Sequence, residues 1–445
     1  MDATAIMQRY QALLAKLNQA MLADNQQRVL LLKRIMTHLG HPDHYFHVIH
    51  IAGTNGKGST GAMLASILRA QGYQVGRFSS PAISDAREQL QLNGHWISPA
   101  DFIDTYAEIE PVLTNMGIAP HEISIFEWFF LISMVWFRNQ DVDWAIVEAG
   151  LGGRYDATNA LASPRLTLFT KIALDHTQIL GPTIKAIAQN KAKIIKPHTT
   201  VVTLADQHPD ALAVLRTEAL NQGVKLVTAK RVKTTVTAES IDGMVVDAMS
   251  QSYHWPALRT NLIGRYQLQN LVNVLTAVAT LRGQHVRLTE AAVRTGLQRV
   301  TLPGRLTVLQ NQPLIIADGA HNPDGMAALV ASLQSLLPNR DLIYVVGVLR
   351  DKAHGPMLTT LLASAKLVIT NTPENPQRAL PAADLAAEAV RLRPVDGPEV
   401  LTAPNIDAAL KLVQQRATPT SAIVVTGSFY VMRELQQAGW KGLSE

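Results

Sequence analysis

Apolar positions fall into two recurring patterns along this chain. Short β-branched runs alternate with stretches in which apolar residues return every three or four positions, the combination produced by a parallel sheet with crossover helices. The runs predict strands at His47–Ala52, Tyr73–Phe78, Asp143–Glu148, Arg165–Thr170 and Thr200–Leu204. Between Arg231 and Leu262 the pattern changes to short alternating segments around an Asp-Gly pair, which predicts a small antiparallel patch before a helix resumes at about Tyr266. A second αβ series starts near Pro313, with PLIIAD, LIYVVG, AKLVIT and SAIVVTG as its strands. The segment Gln298–Pro313 carries two prolines and no long period. Its start is taken as the link, dividing the chain into units 1–297 and 298–445.

The most apolar stretch, Ile123–Phe137, contains Glu127 and is shorter than the roughly 20 residues of a membrane span, so it reads as a buried helix. The first twenty residues read as an amphipathic helix with dispersed charges, without the apolar core and cleavage site of a signal peptide.

Composition narrows the chemistry. With 445 residues, 47% hydrophobic and 17% charged, the chain suits two or three packed domains. It has no cysteine, which excludes disulfides, thiolate metal sites and cysteine nucleophiles and points to a reducing cytoplasm. Forty basic residues against 35 acidic ones give a net charge of +5 without a clustered basic run. An anionic small molecule accounts for that balance as well as nucleic acid would, and neither a membrane nor a nucleic-acid partner is expected.

The stretch HVIHIAGTNGKGST places a glycine loop, Gly53–Gly58, between a strand and a helix expected from Ser59. Such a turn aims backbone N–H groups at a phosphate, and the helix N-terminus adds about half a positive charge. Thr54 and Asn55 lie within this loop, Gly56 and Gly58 permit positive φ and close approach, Lys57 can reach the outer phosphates, and Ser59 or Thr60 can offer a hydroxyl to Mg²⁺. The unit binds a nucleoside triphosphate, although a glycine separates the lysine from the hydroxyl residue, unlike the common GxxxxGK[ST]. The fold expected is α/β: an N-terminal P-loop ATPase-like domain with a mainly parallel sheet, plus a smaller C-terminal Rossmann-like domain.

A second constellation is DWAIVEAGLGGRYDATN, Asp143–Asn159, in which an apolar strand delivers Glu148 at its carboxyl end before another glycine-rich loop. Open parallel sheets bind ligands at that edge, which makes Glu148 a candidate Mg²⁺ ligand. Asp156 reads equally as a turn-former or a functional acid.

HIAGTNGKGS and IVEAGLGGRYDATN resemble the signature stretches of the folylpolyglutamate synthase and dihydrofolate synthase family of the Mur ligase superfamily. LDHTQILGPTIKAIAQNKAKIIKP, NLIGRYQLQNLVNVLTA, LPGRL, DGAHNPDG and VVTGSFYVMREL follow in that family's order. The resemblance implies a MgATP-dependent ligase that phosphorylates a folate or pteroate carboxylate and lets the amine of L-glutamate displace phosphate. It implies that Lys57 and Ser59 hold the triphosphate and its metal, and that Ser80, Glu148 and His176 hold a second Mg²⁺. It further implies that Lys191 is open to carbamylation in support of that metal, and that Asn270, Arg305, Asp318 and His321 reach the nucleotide or the amino acid. A monomer is expected.

Plainer readings compete at single positions: His176 as a helix cap, Lys191 as an exposed lysine, Arg305 as a hinge anchor, and His321 as part of a helix start where Asn322 and Pro323 already supply cap and first turn. Two other functions also compete, a peptidoglycan-precursor ligase and a catalytically silent nucleotide-binding protein. The chain departs from the family's pattern at Ala86, Gln89 and Phe130, which places the expected difference in the acceptor pocket.

Overall fold

The computed structural model describes residues 3–17, 26–229, 232–250 and 253–443. An eight-stranded sheet runs, edge to edge, through His95–Trp96, Leu90–Leu92, Val75–Phe78, Trp144–Glu148, His47–Ala52, Leu166–Phe169, Thr200–Thr203 and Leu226–Thr228. The first three strands pair antiparallel with one another in that order, and the other pairings are parallel. At its centre Ile51 pairs with Glu148, and Ala52 pairs with Phe169, so three strands end together at one edge.

Three strands, Lys233–Ser240, Gly243–Met249 and His254–Thr260, form the antiparallel patch, and a helix follows at Tyr266–Gly283. Arg231, where the patch is expected to start, lies outside the described residues, as do positions 18–20 of the N-terminal pattern; Ala3–Lys16 is helical. The remaining sheet is ordered Thr307–Asn311, Leu314–Ala317, Ser421–Thr426, Asp341–Val346, Ala365–Thr370, Glu399–Thr402, parallel except for its first strand.

Residues 298–313 are more regular than their prolines suggest. The helix Glu290–Arg299 covers position 298, and Thr307–Asn311 is a strand antiparallel to Leu314–Ala317. The helix end is held by packing: Ser66 Oγ donates to Gly296 O at 2.7 Å, and a Cβ at Gly296 would lie 2.5 Å from Ile67 Cα. The irregular connection is therefore 300–306.

The apolar stretch forms the helix Ile125–Asn139, with its residues from Glu127 to Phe137 buried. Glu127 is tolerated there because its carboxylate is fully used. It accepts from Arg28 Nε at 2.9 Å, Arg28 Nη2 at 2.5 Å and Ser124 N at 2.8 Å, closing a capping box at the helix start. Among the described residues no helix is long and apolar enough to cross a membrane.

Candidate active site

The carboxyl ends of both parallel sheets open onto one cavity of about 530 Å³. The glycine loop forms one wall. Its helix starts at Lys57, two residues earlier than predicted, after Gly56 in the left-handed region at φ 89. A Cβ at Gly56 would meet Asn270 Oδ1 at 2.1 Å, so backbone and space both demand glycine. Gly58 is helical, not left-handed, which corrects the role expected for it. It lines the cavity with Thr54, Asn55, Lys57 and Ser59.

Thr60 does not. At 3.6 residues per turn its side chain points about 100° away from Ser59. It is fully buried, and its hydroxyl has no partner.

Lys57 Nζ folds back to donate to Gly53 O at 3.3 Å and Thr54 O at 3.4 Å, and stands 3.8 Å from Glu148 Oε1. Among the described residues Glu148 has no closer ion-pair partner. Burial raises its pKa, while Lys57, Arg77 and Arg305 pull it back down. Asp156 serves both readings. It lines the cavity and also pins the glycine-rich loop, accepting from Leu151 N at 2.8 Å and Thr158 N at 3.0 Å.

Lys191 is buried, which removes its reading as an exposed lysine, and its Nζ donates to Gly53 O at 2.8 Å. Burial pushes the ammonium pKa down to about 7, with Lys57 adding repulsion. His176 stands before the one-turn helix Thr177–Leu180 with φ 49, but its side chain caps nothing; Thr183 caps the next helix through Ala186 N at 3.2 Å. Burial lowers its pKa to about 4, so at neutral pH it presents an uncharged imidazole to the cavity. Ser80 lines the same space.

The opposite wall comes from the six-stranded sheet. Asp318 accepts from Leu306 N at 2.9 Å, Ala320 N at 2.9 Å and Tyr266 Oη at 3.2 Å, so its carboxylate is occupied in shaping the loop around Arg305. Arg305 stacks on Phe429, 4.8 Å from the ring centroid, and lines the cavity as Asn270 and His321 do. Asn322, not His321, caps the helix Pro323–Leu336, accepting from Gly325 N at 2.8 Å.

The centre of charge between the walls is Asp175, to which the sequence reading gave no role. Lys352 Nζ reaches its Oδ1 at 2.7 Å, Asn322 Nδ2 donates to Oδ2 at 3.1 Å, and the Nε2 atoms of His321 and His176 lie 3.6 and 3.9 Å from it. This company holds its carboxyl well below the usual range despite the opposing effect of burial. Gly319 O can only accept, so His321 Nδ1, at 2.9 Å, carries a hydrogen and Nε2 faces Asp175. A second bridge joins Lys171 Nζ to Asp324 Oδ1 at 2.5 Å, and Asn55 Nδ2 donates to Asp324 Oδ2 at 2.8 Å. Asp175 stood beside His176 in LDHTQ and could have been singled out. Nothing around Lys352 in the sequence marks it.

Ala86, Gln89 and Phe130 do not line the cavity, contrary to the expectation of an altered acceptor pocket. Ala86–Gln89 is a short helical turn capped by Asp85, and Phe130 is buried edge-on against Phe78, with 6.2 Å between ring centroids. Ala82, Ile125 and Phe126 stand at the wall instead.

Residues 130–280 match the Mur ligase middle domain, and residues 304–429 match the Mur ligase glutamate ligase domain. The dihydrofolate synthase/folylpolyglutamate synthase of Bacillus subtilis is 31% identical over 413 residues, covering 91% of this chain and 93% of the relative. The folylpolyglutamate synthase of Lacticaseibacillus casei is 32% identical over 422 residues, with coverages of 91% and 93%. The structure of Mycobacterium tuberculosis folylpolyglutamate synthase complexed with ADP superposes with a TM-score of 0.87 at 30% identity, covering 98% of this chain and 99% of that one. Escherichia coli FolC in complex with DHPP and ADP gives 0.82 at 26% identity, with coverages of 97% and 97%. The chain belongs to the folylpolyglutamate synthase and dihydrofolate synthase family of Mur ligases.

Proposed function

We propose that the protein is an ATP-dependent ligase that joins L-glutamate by an amide bond to the carboxylate of a folate or dihydropteroate, through an acyl phosphate. The observation that carries this reading is the convergence of the Lys57 loop, the buried Glu148 and the side chains of Arg305, His321 and Lys352 on one cavity. A carboxylate is inert to an amine at neutral pH and must first be activated. A silent nucleotide-binding protein needs no such second wall, and the named relatives do not favour a peptidoglycan ligase.

The donors suit Mg²⁺. Glu148 is a buried carboxylate with only a long ion pair to Lys57, Ser59 and Ser80 offer hydroxyls, and His176 is an uncharged imidazole. When bound, two Mg²⁺ neutralise the charge of the phosphate oxygens and of the acyl group. The backbone of Thr54–Ser59 cradles the triphosphate, and Lys57 exchanges its two carbonyl partners for phosphate oxygens. Asn270 and Arg305 steady the nucleotide, while Asp318 positions Arg305. His321 reaches the incoming glutamate, while Lys352, paired with Asp175, holds this wall in place. Closure of the two walls excludes water from the acyl phosphate.

The lowered pKa of Lys191 leaves a neutral amine available for carbamylation. A ¹³C carbamate signal from protein in labelled bicarbonate, absent from Lys191→Ala, checks that assignment. One chain builds the whole cavity, which supports a monomer, and a supply of ATP suits the cytoplasm. We place the division between domains in 300–306.

Glutamate-dependent ADP release, compared between dihydropteroate and a reduced folate, tests the function and identifies the acceptor. ADP release that ignores glutamate and both acceptors would overturn it.

A further inference from the structure

Two of the chain's fourteen histidines, His176 and His321, line the cavity, and a different group lies at the other end of the sheet's strands. The helix Gln26–His38 is followed by the sequence Gly40-His41-Pro42-Asp43-His44, shortly before the central strand His47–Ala52. This puts the group at the amino end of that strand, opposite the edge that carries the glycine loop. Donor atoms of His41, Asp43 and His44 all lie within 4.8 Å of one another. The two imidazole rings stack face to face, with centroids 4.7 Å apart and planes 8° from parallel.

The unusual member is Asp43. It is only 7% exposed, and its two oxygens are treated differently. Oδ2 accepts from Ala162 N at 2.9 Å, whereas Oδ1 is buried with no hydrogen-bond partner among the described residues. A carboxylate oxygen buried without a donor is costly, and no protein group nearby supplies one. What does stand nearby is a pair of imidazole rings, neither of which donates to Oδ1. A cation bound jointly by the three groups would complete the set.

We infer that His41, Asp43 and His44 form a binding site for a divalent transition-metal ion of the zinc class, separate from the ligase cavity. The donor set decides the class. Two imidazoles beside a single carboxylate suit Zn²⁺, Ni²⁺ or Cu²⁺, whereas Mg²⁺ and Ca²⁺ are held mainly by oxygen ligands. Zinc takes its ligands at about 2.0–2.2 Å, so the donors must draw closer together than they stand. His44 is exposed and can turn to do so, while Asp43 is fixed by its bond to Ala162. The fourth position faces solvent on the His44 side and is left to water.

Such an ion would brace a single turn of the chain, the one that Asp43 already fastens to a second segment. Asp43 ties the turn before the central strand to residue 162, just beyond the short helical turn Ala157–Ala160 that follows Asp156. The site would act as a staple on the scaffold beneath the cavity, without touching the reacting atoms.

The test is equilibrium dialysis of untagged protein against ⁶⁵Zn²⁺ at micromolar free metal, with Mg²⁺ and ATP saturating so that the ligase cavity is occupied. Intact protein should hold one zinc, and the variants His41→Ala, His44→Ala and Asp43→Asn should each weaken that binding at least tenfold while glutamate-dependent ADP release stays within twofold. Bound Cu²⁺ should show nitrogen hyperfine coupling that is reduced in His44→Ala. Because Asp43→Asn alters a buried group, His44→Ala on the exposed side guards against misfolding. Zinc binding of equal affinity and stoichiometry in intact protein and in His44→Ala, or no zinc bound to intact protein, would overturn the site.

Discussion

The two walls of the cavity spend their charges in opposite ways. On the glycine-loop wall, Lys57 makes only two long bonds to carbonyls of its own loop and stands 3.8 Å from Glu148. On the seam between the walls, Asp175 is gripped by Lys352 and Asn322, and Asp324 by Lys171 and Asn55. In the proposed reaction the first set has its strongest partners still to come, phosphate and metal. The second set has already met its partners within the chain, so its first task is to hold the two halves in register. Loosely paired charges mark where we place the ligand, and tightly paired ones mark where the protein is latched.

The largest effect expected from this contrast is at Lys57. Lys57→Ala removes a cation aimed at the transferring phosphate and should lower acceptor- and glutamate-dependent ADP release on the order of 10³-fold. It takes little from the core, so the melting temperature should stay within about 2 °C. Full activity in this variant would break the distinction between the walls.

Asp175→Asn should behave in the contrary way, costing both stability and activity. It strands the Lys352 ammonium, which is only 7% exposed, without its carboxylate, and should destabilise the fold by about 2–3 kcal/mol. Turnover should fall on the order of 10²-fold through misplacement of His321 and Lys352. Adding Lys352→Met should restore most of the stability and none of the activity. Denaturant unfolding and the ADP assay read the two separately. A stable but inactive Asp175→Asn would show that this carboxylate belongs with the ligand-facing set.

The same contrast explains what the sequence disclosed. The loop Gly53–Ser59 and Glu148 were legible because each sits in a contiguous strand-loop pattern whose geometry is local. Asp175 with Lys352, 177 residues apart, has no local signature; only the folded arrangement of two sheets brings them together. The helix Ile125–Asn139 was readable from its unbroken apolar run. The strand Thr307–Asn311 was not, because its neighbouring prolines and polar residues resemble a linker until the antiparallel partner Leu314–Ala317 is seen. Ala86, Gln89 and Phe130 illustrate a different limit: sequence proximity to a motif did not decide which side chains reach the cavity.

Lys191 sits between the two sets, buried like the seam yet bonded only to Gly53 O. Its folded pKa is about 7 against 10.5 for the free side chain, so between those values the unfolded chain binds more protons than the native one. Stability therefore rises with pH from about 7 to 10.5, with a slope of up to about 1.4 kcal/mol per pH unit. Lys191→Met should lack this contribution and should gain most, relative to the intact protein, at pH 7 and below. Chemical denaturation at pH 6.5, 8 and 9.5 checks it in bicarbonate-free buffer. Identical pH profiles for the two proteins would mean that Lys191 titrates normally.

The smallest effect separates neighbours. Ser59 faces the cavity, whereas Thr60 is fully buried with a hydroxyl that finds no partner. Thr60→Val keeps the shape and discards an unsatisfied polar group, so it should leave ADP release within about twofold and raise stability by up to ~1 kcal/mol. Ser59→Ala, one residue earlier, should lose activity on the order of 10²-fold with little change in stability, because its hydroxyl belongs to the ligand-facing set. Measured together by the ADP assay and by denaturant midpoint, the pair isolates helix phase from motif membership. If Thr60→Val lost activity as Ser59→Ala does, the helix would have to present its N-terminal turn differently from the geometry seen, and the hydroxyl at 60 would join the metal-binding set.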